Sequence, residues 1–175
     1  LRHLREEGIT TQVIMSLYKE NIPEIEALAA LCDEFAVASL KINPVMPTGR
    51  GEKVFQRREN VDVEELIGID RRLEAGRGSR YKTEIYFCLP IGLKSLRAIT
   101  GENLYECNIL HILGILADGT VSICGIGQTE TDLNMGNIAV DDLEEIWRHH
   151  PLLKKLRAET PAQLSGICGR CIFKF

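Results

Sequence analysis

At 175 residues the chain is long enough to bury a real core, with 45% hydrophobic and 26% charged residues, ordinary globular values that exclude disorder. The formal net charge of −4 gives no basic footprint, so nucleic acid is not an expected partner. No apolar run approaches the roughly 18–20 residues of a membrane span, and the opening LRHLREEG has no apolar stretch of the kind a signal peptide carries.

The chain opens without a methionine, in what reads as a helix with Leu1 and Leu4 on one face and Gly8 placed as its C-terminal cap. We therefore expect a piece of a longer protein. TTQVIMSL follows as a short buried strand, with Val13, Met15 and Leu17 pointing one way and Ile14 and Ser16 the other. NIPEIEALAALCDEF is a helix. Asn21 is its expected cap, Glu24 holds the capping-box position, and Pro23 sits where a missing N–H costs nothing. Leu28, Leu31, Cys32 and Phe35 form its expected apolar stripe, which makes Cys32 a small buried hydrophobe.

SLKINPV reads as a second strand ended by the PTGRGE loop. VDVEELIGIDRRLEAG is the next helix, with Asp62 and Glu65 as a capping box and Val63, Leu66, Ile69 and Leu73 on its apolar face. Helix and strand alternate here as in parallel βα units, which two units alone cannot close, so residues 1–76 read as the last part of a larger α/β domain. Ligands of such folds gather at the C-terminal ends of strands. Ser16 and Asn43 lie near those ends, as cofactor-facing candidates or simply as polar residues lining a barrel interior.

Residues 77–106 read as a passage: the basic linker GRGSRYK, where the domain boundary is expected, and then the strand EIYFCLPI. Cys88 in that strand is either buried or an upstream contributor to a metal site.

Residues 107–175 hold four of the six cysteines. Cys107 and Cys124 bracket eleven residues, Gly119 and four more, and Cys168 and Cys171 form a C-x-x-C pair. A disulfide framework is one reading, but nothing marks the chain as secreted, and in a reducing compartment this pattern is more often a metal or redox site. ILGILADGTVSIC is a hairpin signal. Asp118-Gly119 is expected to form a two-residue type I′ turn that sets Leu116 opposite Val121 and Leu113 opposite Cys124. Then DDLEEIWRHH is a helix with an Asp141/Glu144 capping box and Trp147 as a core anchor, and Pro151 breaks it and starts the helix PLLKKLRAE. His149 and His150 read as a solvated helix end. LSGICGRC delivers its two thiols from a loop. Four thiolates suit zinc or an iron–sulfur cluster equally by softness.

The succession C-x11-G-x4-C, MGNI, LEEIW, LRAE and CGRC resembles the SPASM/Twitch auxiliary-cluster region of radical S-adenosylmethionine enzymes, most closely members that modify ribosomally made peptides. Residues 9–51 are similar to the last two βα units of the partial barrel of those enzymes. The resemblance implies an α/β fold: the C-terminal βα units of a partial (β/α)6 barrel over residues 1–76, and a small α+β SPASM/Twitch module over 107–175, cut off inside its cysteine pattern. It implies that Cys107, Cys124, Cys168 and Cys171 hold auxiliary [4Fe–4S] iron. In a Twitch module all four share one cluster. In a SPASM module, the arrangement favoured by CGRCIFKF, Cys107 and Cys124 serve the first cluster and Cys168 and Cys171 the second.

It further implies a cytoplasmic protein with a peptide or protein substrate and a reducing donor such as flavodoxin or ferredoxin. The family's C-x-x-x-C-x-x-C loop, which holds the [4Fe–4S] cluster that cleaves S-adenosylmethionine, does not occur in these 175 residues. This chain alone is therefore expected to be inactive, with no catalytic residue of its own. The rival reading is a zinc-stabilised four-cysteine binding module without enzymatic activity, in which the metal drives folding. A thiol–disulfide oxidoreductase using Cys168 and Cys171 is weaker, because such motifs usually open a helix beside a βαβ unit.

Overall fold

A computed structural model describes residues 1–76, 78, 80–100, 109–160 and 162–172. Cys107 and parts of the expected linker lie outside the described residues. The chain divides into two compact units, Leu1–Tyr105 and Glu106–Phe175.

The first unit begins with α1 (Arg2–Glu6) and β1 (Gln12–Leu17). A short 3₁₀ helix, Lys19–Glu24, then runs into α2 (Ile25–Glu34), β2 (Ser39–Pro44), α3 (Glu52–Gln56), α4 (Val63–Gly76), β3 (Glu84–Phe87) and α5 (Leu96–Thr100). The strands form a three-stranded sheet, order β1-β2-β3, parallel throughout. Strand 84–87, set apart by sequence as a bridging strand, is thus the third strand of the first sheet. Parallel pairing needs a crossover between strands, and α2 and α4 supply the two crossovers.

Strand alternation decides what is buried. Met15, Leu17, Leu40, Ile42 and Phe87 pack with Ile25, Ala29 and Cys32 of α2 and Ile69 of α4 in one core. Leu17, Leu40, Ile42 and Ile69 are essentially sealed from solvent, each contributing roughly 1.5–3 kcal/mol of transfer free energy. The helix stripe differs from expectation at Leu31, which is 43% exposed. The row 25, 29, 32 is the one centred on the sheet, with Leu28 and Phe35 flanking it. Val63 is likewise exposed.

Asn21 does not cap α2. The chain turns helical earlier, at Lys19, and the Asn21 side chain accepts from Tyr18 N–H (3.0 Å) while donating to the Ser16 carbonyl (2.9 Å). Asp62 does cap α4, accepting from Glu65 N–H at 2.9 Å. Asp33, at the end of α2, accepts from the N–H groups of Thr83 (2.6 Å) and Lys82 (3.0 Å), which pins the start of β3. The Thr83 bond in particular holds the Asp33 carboxyl below the usual carboxylate range. Asp70 of α4 and Lys94 form an ion pair at 2.5 Å, their side chains 4% and 13% exposed.

The second unit carries β4 (Gly114–Ile115), β5 (Thr120–Ser122), β6 (Asn134–Asn137), α6 (Leu143–His149), α7 (Pro151–Glu159) and α8 (Gly166–Gly169). Its strands make an antiparallel sheet of order β4-β5-β6, and Val121, Ile123, Met135, Ile146 and Leu153 form a second core beneath it. Pro151 opens α7 as the sequence requires. The α6 cap falls one residue later than expected. Asp142 accepts from Glu145 N–H (2.8 Å), and Asp141 is engaged instead by Asn137 N–H (2.8 Å). The MGNI stretch thereby acquires a structural meaning, since Asn137 also donates from its side chain to the Asp118 carbonyl (3.1 Å) and so clamps the hairpin turn. No helix of the described residues is long and apolar enough to cross a membrane.

Candidate metal centre

The hairpin that presents Cys124 turns differently from the type I′ expectation. Of the loop residues only Gly119 has positive φ (84°), whereas type I′ needs it at Asp118 as well. Asp118 keeps an unstrained backbone, and its carboxylate accepts from Thr120 N–H (3.0 Å), a bond that holds it below its ordinary pKa. Ala117 is drawn into a three-residue loop closed by Gly119 N–H to the Leu116 carbonyl (2.9 Å) and Leu116 N–H to the Thr120 carbonyl (2.8 Å). The register moves by one, giving Ile115↔Val121 and Gly114↔Ser122. Leu113 is therefore not the partner of Cys124.

Gly114 is the residue against which Cys124 lies. A Cβ on Gly114 would sit 2.9 Å from both the Cα and the carbonyl carbon of Cys124. Cys124 itself is extended (φ −168°, ψ −168°), half-buried, and precedes the short 3₁₀ helix Gly125–Gln128. Its thiol is free and its side chain packs at the border of the second core.

Of the C-x-x-C pair, Cys168 does not come from a loop but Cys171 does. Cys168 lies on the single turn of α8, Cys171 just beyond it, and Cys171 N–H donates to the Cys168 carbonyl at 3.2 Å. Both thiols are free and exposed. A C-x-x-C wound on one turn offers two thiolates to one metal or one cluster edge. Among the described residues no three His, Cys, Asp or Glu side chains gather into a metal-holding group, and Cys107 is not among them. The structure thus brings together Cys168 and Cys171 and shows Cys124 as a separate donor. In donor chemistry these free thiols fit a soft metal or an iron–sulfur cluster.

Sequence reasoning missed Arg157. Its guanidinium stacks on Trp147, 4.1 Å from the ring centroid, donating from Nη1 to the Trp147 carbonyl (2.7 Å) and from Nε to the Leu110 carbonyl (3.4 Å). Its Nη2 is buried without a hydrogen-bond partner among the described residues. A buried donor left unmade costs about 1–3 kcal/mol. The available signal was an arginine inside the apolar rhythm of Leu152, Leu153 and Leu156.

The other cysteines belong to the first unit. Cys32 is 1% exposed, and burial, helped by the Asp33 carboxylate, pushes its thiol pKa up, as an inert core residue requires. Cys88 is half-buried just after β3, its N–H donating to the Ile42 carbonyl (2.9 Å). Ser16 and Asn43 are register partners at the ends of β1 and β2. Both lie on the sheet face opposite the core, Ser16 exposed and Asn43 half-buried.

Residues 107–172 match the family model of SPASM, the iron–sulfur cluster-binding domain, and the match begins at Cys107 and takes in Cys124, Cys168 and Cys171. The wider chain is similar to a mycofactocin maturase, MftC, of Mycobacterium ulcerans (25% identical over 174 residues, 98% of this chain and 45% of that protein). It is also similar to MftC of Mycolicibacterium smegmatis (27% over 177 residues, 98% and 42%) and to an AdoMet-dependent heme synthase of Oleidesulfovibrio alaskensis (24% over 190 residues, 98% and 46%). The chain spans about half the length of these relatives. The chain is thus similar to an iron–sulfur cluster-binding domain over residues 107–172 and, along nearly all of its length, to part of two maturases and a heme synthase.

Proposed function

We propose that the chain is the C-terminal, auxiliary-cluster part of a radical S-adenosylmethionine enzyme that modifies a ribosomally made peptide or protein. The observation that carries this reading is the SPASM match over 107–172, whose span contains all four spaced cysteines. Cys107 and Cys124 are the ligands of a first auxiliary [4Fe–4S] cluster, and Cys168 and Cys171 contribute to a second. When bound, such clusters supply one-electron transfer or a fixed charge beside the substrate. The chain's own part is to hold Cys124 on an extended backbone against Gly114 and to offer Cys168 and Cys171 from one turn of helix.

The sheet of the first unit is read as the closing βα units of a partial (β/α)6 barrel. Its open face, with Ser16 and Asn43 adjacent in register, is the surface that faces S-adenosylmethionine and substrate. Reducing equivalents come from a flavodoxin or ferredoxin in the cytoplasm. Because the C-x-x-x-C-x-x-C loop is absent from these residues, this chain without its partner part does not start the radical reaction. The two maturase relatives favour a peptide substrate. The heme synthase relative supports a tetrapyrrole as the second reading.

Anaerobic reconstitution with iron and sulfide tests the ligand set. Uptake of about four irons per cluster with a broad sulfide-to-iron band is expected. Cys107→Ala and Cys124→Ala should each lose iron while the first unit keeps its fold. Full iron in both variants refutes the assignment, and one tightly held zinc with no iron uptake replaces it with the zinc module.

A further inference from the structure

Between α4 and β3 of the first unit lies a cleft of about 210 Å³ that neither the thiols nor the open sheet face accounts for. Leu73, Ile85 and Phe87 give it apolar walls and Tyr81 an aromatic one. It is smaller than the roughly 300–1,000 Å³ of sites that take drug-sized molecules. It therefore admits one polar head on a short alkyl stem rather than a nucleoside cofactor.

The charged groups lining the cleft select among such ligands. Asp70 and Glu74 stand four residues apart on α4, which puts both carboxylates on one face of the helix. Asp70 is paired with Lys94 (2.5 Å), which also donates to the Phe87 carbonyl (3.2 Å). Arg80 is spent on Glu26 (2.8 Å), which accepts from the Tyr81 hydroxyl as well. Arg72 and Lys82 are exposed, where water and salt screen their charge. Glu74 is different. It is half-buried, and its partner among the described residues is a neutral one, the Ser95 hydroxyl at 3.3 Å. Two carboxylates on one helix face thus share one ammonium. A partly desolvated carboxylate without a counter-ion favours a cation, apolar walls cover an alkyl stem, and an aromatic ring face attracts the same charge.

We propose that this cleft binds an organic cation of side-chain size, an alkylammonium or alkylguanidinium whose head pairs with Glu74 and whose stem is covered by the apolar walls. The cation comes from a free amine or from a lysine or arginine of a peptide. Every group involved belongs to the first unit, so the site is independent of the cluster ligands.

The test is an amide-resolved nuclear magnetic resonance titration of the isotope-labelled full chain. The probes are n-butylguanidinium, n-butyrate, and an acetylated, amidated peptide of one arginine flanked by glycines. Butylguanidinium should give saturable shifts at the amides of Leu73, Glu74 and Ile85, and butyrate should bind about tenfold more weakly or not at all. Glu74→Gln should weaken butylguanidinium binding about tenfold. Glu64→Gln, which neutralises an exposed carboxylate in the first turn of the same helix, should leave it unchanged. Should Glu74→Gln not fold, the preference for cation over anion on the wild type decides. Tighter binding of the peptide than of butylguanidinium supports the site and assigns the cation to a peptide side chain, and the reverse order supports it and assigns a free amine. A folded wild type with no saturable shift overturns the proposal, as do shifts confined to other residues or butyrate bound as tightly as the cation. A folded Glu74→Gln variant that binds butylguanidinium as the wild type does overturns it too.

Discussion

Gly114→Ala isolates how much the Cys124 position depends on one close approach. The added Cβ would meet the Cys124 Cα and carbonyl carbon at 2.9 Å and its carbonyl oxygen at 3.1 Å. Carbon pairs settle near 3.5–4.0 Å, so the backbone of Cys124 must retreat by roughly 0.6–1 Å. The obstacle is main chain at the rim of a packed core, not the tip of a flexible side chain, and such overpacking costs about 1–3 kcal/mol. Gly114 is outside the left-handed region, so the penalty is purely steric.

Gly125→Ala is the matched control, for its Cβ meets nothing within 4 Å and its φ is ordinary. Both variants gain the same small benefit from a stiffer unfolded chain, roughly 0.4–1 kcal/mol, which cancels in the comparison. Metal-free urea or thermal unfolding should therefore separate them by about 1–3 kcal/mol, or by roughly 4–8 °C per kcal/mol in a unit of this size. Reconstituted Gly114→Ala should also hold less iron than Gly125→Ala, because the displaced residue is the proposed ligand. Equal stability and equal iron in the two variants would refute both the contact and its link to the metal centre.

Two further perturbations probe the first unit. Lys94→Met leaves Asp70 as an uncompensated charge only 4% exposed and should cost about 3–5 kcal/mol in denaturant unfolding, most of it regained when Asp70→Leu is added. Asp33 titrates lower in the folded chain than in the unfolded one, so its contribution is complete above the unfolded value near pH 4 and is lost as pH falls through the folded value. Asp33→Asn should flatten that acid limb of the stability–pH curve, and an unchanged slope would show that the Thr83 and Lys82 bonds do not couple to its charge.

What the sequence made legible was local chemistry. Asp62 before an apolar helix and Pro151 after a helical run are decided by one or two backbone groups, and both signals carried through. Where several local solutions compete, tertiary contacts chose. Asp118-Gly119 is as compatible with a three-residue loop as with type I′. The clamp from Asn137, distant in sequence, together with the Asp118–Thr120 bond, goes with the loop that spares Asp118 a positive φ. The shift of cap from Asp141 to Asp142 has the same origin, since Asn137 N–H already occupies Asp141. Leu31 looked like core because periodicity marks a stripe without saying where the sheet lies beneath it.

The candidate site divides in the same way. The thiols could be proposed as a site because cysteine spacing is chemistry written in the chain, whereas for Arg157 the one local signal, its place in an apolar rhythm, does not distinguish an arginine that snorkels into water from one that stacks on an indole.

Parallel sheets are ordinarily covered on both faces, and in the first unit α2 and α4 pack against one face only. The other face presents Gln12, Ile14 and Ser16 on β1 and Ser39, Lys41 and Asn43 on β2, exposed or half-buried, with a bond from Gln12 Nε2 to Ser39 Oγ at 2.8 Å. One aliphatic residue among five polar ones makes a poor docking surface for a helix, which buries an apolar stripe. It suits a polar ligand or a solvated barrel interior better. That asymmetry between faces is the physical support for the proposal that the first unit is part of a barrel.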